Sequence, residues 1–216
     1  MKTDEQLQQD VIEELRWEPS VTASEIGVSV NKGVVTLSGT VPTYAEKWAA
    51  ERAARRVEGV QAIAEEIHVK LTGIHKRSDE EVAQTIERSL QSHVWVPTDV
   101  QATVENGWVT LRGEVTWEFQ RQAATDSVRF VSGVKGVTNE ITIRPRELDA
   151  MVEKAIDQAL KRNADIDARR ITVSASRGKV TLSGNVRTFA ERDRAERAVW
   201  NAPGVTAIDN KLIVLG

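Results

Sequence analysis

One apolar phrase recurs three times in this 216-residue chain, and its spacing limits what the chain can become. Val35-Thr36-Leu37-Ser38-Gly39 returns as Val109-Thr110-Leu111-Arg112-Gly113 and as Val180-Thr181-Leu182-Ser183-Gly184. Ahead of each stands a turn glycine (Gly33, Gly107, Gly178), and behind each another (Gly59, Gly133, Gly204). Both series step by 74 and then 71 residues. Such a period is too long for a solenoid repeat and suits a small independent domain. The chain divides into residues 1–73, 74–145 and 146–216. Each unit has roughly 70 residues, near the lower limit for a self-sufficient core, so neighbouring units should share burial.

Within a unit the hydrophobic period changes in a fixed order. Leu7, Val11 and Leu15 recur at helical spacing, as do Val82, Ile86, Leu90 and Val152, Ile156, Leu160. Thr3-x-x-Gln6 and Ser78-x-x-Glu81 have the form of capping boxes, whereas the third copy of this helix follows Pro145, which leaves little slack between units two and three. On that ground units two and three should move together, while Thr72 to Arg77 forms a looser link between units one and two.

Ile26, Val28 and Val30, then Val35 and Leu37, alternate as in a hairpin with one buried face. Its turn ends in glycine, where a tight reversal needs positive φ. A second helix opens at Thr43-x-x-Glu46 or Thr188-x-x-Glu191 and carries an alanine stripe, Ala50, Ala53 and Ala54 in the first copy. Gly59 ends it, and Val60, Ile63, Ile67 and Val69 supply a closing strand whose uneven spacing is what a bulge would give. The predicted fold class is α+β: three tandem αββαβ domains, each a three-stranded mixed sheet with two helices on one face and a polar outer face.

The VTLxG strand, the alanine-rich helix behind it and the Gly-Val strand that follows resemble the BON domain, a bacterial module. The likeness covers residues 4–71, 79–145 and 147–215. It implies a non-enzymatic binding module of bacterial envelope and stress proteins, with relatives associated with anionic phospholipid, potassium, osmotic stress or chaperoning of exported proteins.

The residues themselves give little sign of chemistry. Cysteine is absent, and His68, His75 and His93 show no metal-ligand spacing. Ser29-x-x-Lys32 and Ser132-x-x-Lys135 do not open helices as a serine-lysine motif requires. Gly133-Val134-Lys135-Gly136 has the letters of an RNA-clamping loop, but its first glycine already serves as a helix cap. No catalytic residues, cofactor or metal are expected, and the acidic total of −3 argues against nucleic acid. No apolar run is long enough to cross a bilayer, and the amino terminus enters an acidic helix without the pattern of an export signal. The expected location is therefore the cytoplasm, or the periplasm if a signal has been removed.

Charge and tryptophan are the two features that folding leaves unexplained. Units one and two are acidic, whereas the third carries thirteen basic against ten acidic residues. Arg169, Arg170, Arg177, Lys179 and Arg187 are candidates to face anionic headgroups. At about 1 kcal/mol per basic residue such a patch is weak by itself, so apolar insertion is also needed, with Trp108 and Trp117 as candidates. Trp48 lies off the buried stripe of its helix beside Arg52 and Arg55. Trp108 points to the outer sheet face, Trp117 takes a helix-cap position, and Trp200 and Phe130 stand where unit one has Arg55 and Arg56.

These aromatics either pack unit against unit or form a binding surface. The functional expectation is a stress-associated protein that docks on anionic phospholipid or on membrane-associated partners. The alternative is a soluble adaptor or holdase-like chaperone carried by exposed Trp48.

Overall fold

The structure, a computed structural model, describes residues 2–144, 152–163 and 166–215. Unit one contains α1 (Asp4–Trp17), β1 (Ile26–Asn31), β2 (Val34–Val41), α2 (Tyr44–Arg56) and β3 (Ala62–Val69). Unit two repeats this as α3 (Asp79–Ser92), β4 (Gln101–Glu105), β5 (Trp108–Arg112), β6 (Glu114–Val115), α4 (Glu118–Arg129), β7 (Gly136–Asn139) and β8 (Thr142–Ile143). Unit three supplies α5 (Val152–Arg162), β9 (Ile171–Ser176), β10 (Lys179–Val186), α6 (Phe189–Trp200) and β11 (Ala207–Val214).

In each unit the VTLxG strand is central, antiparallel to the strand before it and parallel to the strand after α2, α4 or α6. This is the predicted αββαβ layout. The parallel partners Val34 and Ala62, Trp108 and Gly136, Lys179 and Ala207 keep one sequence separation, so the three sheets share one register. Pairing is one for one along β3, and the expected bulge is absent. Val60 lies in the turn before the strand, and Glu65 fills the missing inward position, where Lys47 of α2 meets it at 3.5 Å. Asn139 and Asn210 take that position in the other units and donate to Thr125 and Glu196 of the overlying helix.

Both capping boxes form at Thr3 and Ser78, and Thr43 and Thr188 accept from the third residue of their helices. The expected break at Pro145 lies outside the described residues. At the hairpins both central residues have positive φ: Lys32 50° and Gly33 76°, Asn106 52° and Gly107 80°, Arg177 48° and Gly178 82°. That is the type I′ geometry suited to strand twist. The first helical aspartates, Asp4 and Asp79, accept both turn N–H groups, which ties each hairpin tip to its helix. The motif glycines Gly39, Gly113 and Gly184 also have positive φ, and a Cβ there would run into the carbonyls of Glu25, Asp99 and Arg170. These close approaches explain why the VTLx phrase ends in glycine.

Leu7, Val11, Leu15, Val35 and Leu37 bury the face of unit one, with equivalent residues in the other two. The apolar core of unit one continues into that of unit three, whereas unit two has its own core, met at its rim by Tyr44 and Trp200. The sequence pointed to a coupling of units two and three; apolar continuity instead joins one and three.

Candidate functional site at the three-unit junction

The helices α2, α4 and α6 meet, and they do so in one rotational sense. Equivalent positions along them read Tyr44, Glu118, Phe189; Lys47, Arg121, Arg192; Trp48, Gln122, Asp193; and Arg55, Arg129, Trp200. The first turns of each helix reach the last turn of the next. Arg129 of α4 lies 3.8 Å from the Trp48 ring centroid of α2. Arg121 of α4 lies 5.1 Å from the Trp200 ring of α6. Arg55 of α2 lies 5.6 Å from the Phe189 ring of α6 and 3.9 Å from Asp193. The third contact returns to the first unit, so the three units close a ring.

Between them lies a cavity of about 850 Å³, a volume typical of ligand sites, lined from all three units. Burial shapes its electrostatics. It pushes the Glu118 carboxyl up, against the pull of Arg121, and pushes Asp193 up, against Arg55. It lowers the Arg129 guanidinium and raises the Tyr44 phenol. Each shift disfavours a charge taken from water.

At the mouth, unit two adds an apolar surface whose Trp95 and Val94 the sequence reading missed. Trp95 and Phe119 meet edge to face at 5.9 Å, yet remain 58% and 49% exposed, and Val94 beside them is 87% exposed. Trp95 stands where unit one has Ser20, a replacement that aligning the two loops would have shown.

The loop is also held differently. In units one and three the buried Glu46 and Glu191 accept from the N–H groups of Thr22 and Asp167. Unit two has Pro97 at that place, which has no N–H, and its Gln120 instead turns back to Thr116 and Trp117.

The residues singled out from sequence do not gather at one place. Arg169 and Arg170 both contact Asp167 just before β9, at 3.2 and 3.3 Å, and exposed Arg187 lies at the same end of the sheet. Arg177 and Lys179 lie at the hairpin end, about 20 Å away along the strand, with Lys179 paired to Asp209 at 3.2 Å. Trp108 is half exposed on the outer sheet face of unit two, over Gly136, and its Nε1 donates to Thr138. Trp117 is partly buried at the start of α4. Trp48, expected off the core stripe, stands between Arg52 and Arg129 in the junction.

A triplicated αββαβ module with shared register and a junction built from its second helices defines a tandem-repeat α+β protein. The chain belongs to the BON-domain family, whose pattern matches residues 3–70, 78–145 and 148–216.

Osmotically-inducible protein Y of Escherichia coli (strain K12) is 32% identical over 127 residues, which cover 56% of this chain and 63% of that relative's length. Among solved structures, CdsD, a structural protein of the type III secretion system of Chlamydia trachomatis, is 18% identical with a TM-score of 0.28. That match covers 96% of this chain and 91% of the other. The C-terminal domain of CdsD is 16% identical, also at 0.28, with full coverage of both chains. Superposition that loose does not guide an assignment. No helix among the described residues is long and apolar enough to cross a membrane.

Proposed function

We propose that this protein is a non-enzymatic binding module of the osmotic stress response that docks on anionic phospholipid surfaces. The observation that carries this reading is the exposed apolar group Val94, Trp95 and Phe119, three side chains gathered at a loop and a helix start. Tryptophan suits the headgroup layer because its ring is apolar while its N–H still finds a partner. Family membership and the relative named for osmotic induction support the same direction. The third unit's Arg169, Arg170 and Arg187 supply an auxiliary charge at one end of its sheet, and Trp108 and Trp117 a further aromatic contribution from unit two. A holdase role carried by Trp48 is less well supported, because that ring is covered by two guanidinium groups.

Co-sedimentation with phosphatidylglycerol vesicles, against phosphatidylcholine vesicles, tests the reading. Salt-sensitive binding to the anionic vesicles with a blue shift of tryptophan emission is expected, reduced in Trp95→Ser. Equal binding to both vesicles, or to neither, overturns it. The double reversal Arg169→Glu/Arg170→Glu should weaken binding only a few-fold, since Asp167 already offsets part of that charge.

A further inference from the structure

We infer that the junction cavity is a binding site for a phosphate ester, held by arginines from three different units. The inference starts from what the lining groups leave unpaired. Five carboxylates line the cavity, and each is engaged. Glu51 pairs with Arg55 at 2.7 Å, Asp126 with Arg129 at 2.8 Å, and Glu118 with Arg121 at 2.7 Å. Asp193 meets Arg55, and Glu196 accepts from Asn210 at 2.8 Å. None of these pairings uses Arg52 or Arg197, and of the buried polar atoms in the lining Arg129 Nε and Glu118 Oε2 lack a hydrogen-bond partner.

Arg129 is 7% exposed, and its Nε has no hydrogen-bond partner, although Nη1 is used by Asp126. A buried donor without an acceptor is costly, and a bound anion removes that cost. Arg52 and Arg129 lie over the same indole, 4.9 and 3.8 Å from the Trp48 ring centroid, and the Arg129 guanidinium is lowered chiefly by burial, with like-charge repulsion from Arg52 adding to it. Trp48 thus gathers two cations against one ring, and an anion accepting from their outer N–H groups would offset the repulsion. Arg197 of α6, which is exposed, adds a guanidinium from the third unit to the lining.

Planar guanidinium forks from several directions match the tetrahedral oxygens of phosphate better than a single carboxylate. The rim of Trp95 and Phe119 gives an apolar body somewhere to lie. The same chemistry serves a soluble phosphate ester and the headgroup of an anionic lipid. As a lipid site it rests on the docking function proposed above; as a site for a soluble ester it does not.

The test uses the full chain, with Arg52→Gln/Arg197→Gln as the variant; both positions are exposed, and far-ultraviolet circular dichroism checks that the fold is kept. Arg129 is left in place because it packs against Trp48. Calorimetric titration with glycerol 3-phosphate, with sodium sulfate as the control, is run beside phosphatidylglycerol co-sedimentation. Tenfold or greater loss in the double variant is expected for whichever phosphate ester the wild type binds. Binding of glycerol 3-phosphate identifies a soluble ester as ligand, and binding of the vesicles alone identifies the headgroup. Vesicle binding unchanged in the double variant overturns the cavity site while leaving lipid docking intact. Arginine-dependent binding of glycerol 3-phosphate without vesicle binding does the reverse. Sulfate bound as tightly as the ester reduces the site to an adventitious anion site and overturns it, as does binding of neither ester nor vesicle.

Discussion

The joint between units three and one and the joint between units two and three are built at equivalent positions from opposite materials. At the first, Phe189 is buried and helps join two cores into one. At the second, the same helix position holds Glu118, whose carboxylate meets Arg121 and feels the like charge of Glu196. Burying a phenylalanine side chain stabilises by about 1.5–3 kcal/mol, whereas a partly buried ion pair must first offset the removal of both charges from water. The same backbone geometry therefore gives an apolar joint in one place and a mixed one in another, where Trp200 meets the rim of unit two's core beside the Glu118–Arg121 pair.

The largest way to break this contrast is Phe189→Ala. It should cost about 3–5 kcal/mol and turn a shared unfolding of units one and three into two separable transitions in urea, followed by circular dichroism. A single transition with an unchanged midpoint would show that Phe189 does not carry the coupling. Trp48→Ala acts at the third joint and should cost less, about 1–2 kcal/mol, because Arg129 loses the ring it stacks on while Asp126 remains.

The smallest effect is one of pH. Folding raises the Glu118 and Asp193 carboxyls, so the native state binds more protons than the unfolded one between the ordinary carboxylate range and these raised values. Their contribution therefore favours the fold as pH falls into that window and weakens it as pH rises through the raised values. Glu18, Glu81, Asp167 and Asp209 are shifted down instead, so they act in the opposite sense and only at more acid pH. Urea midpoints measured from pH 4.5 to 7 should fall with rising pH in the wild type and less steeply in Glu118→Gln, where Asp193 and the likewise raised Glu65 still titrate; an identical slope in the two would remove Glu118 as a cause.

The repeat made the fold readable. Each element announces itself locally, through a cap at Thr43, a turn glycine at Gly33 or an alanine stripe at Ala50 and Ala53, and three copies guard against a chance match. The junction was not readable in that way. Trp48 and Arg55 share a helix, but Arg129 and Phe189 have no local relation to them in sequence, and only the docking of three helices brings the four together.

The basic residues of unit three show the opposite error. Their clustering along the chain suggested a patch, but a six-residue strand separates Arg170 from Arg177 and carries them to opposite ends of the sheet. For Trp95 the signal was present in the replacement of Ser20, but attention to core stripes passes over a loop.

A ring closed by its own third member has an arithmetic of its own. Each second helix presents one donor end and one acceptor end, and three units use all six, so a fourth copy could not enter without prying a joint apart. Removing one unit leaves two unmatched ends on what remains. A two-unit fragment should seek its missing third in another molecule, and the number of copies becomes a property that the geometry itself enforces.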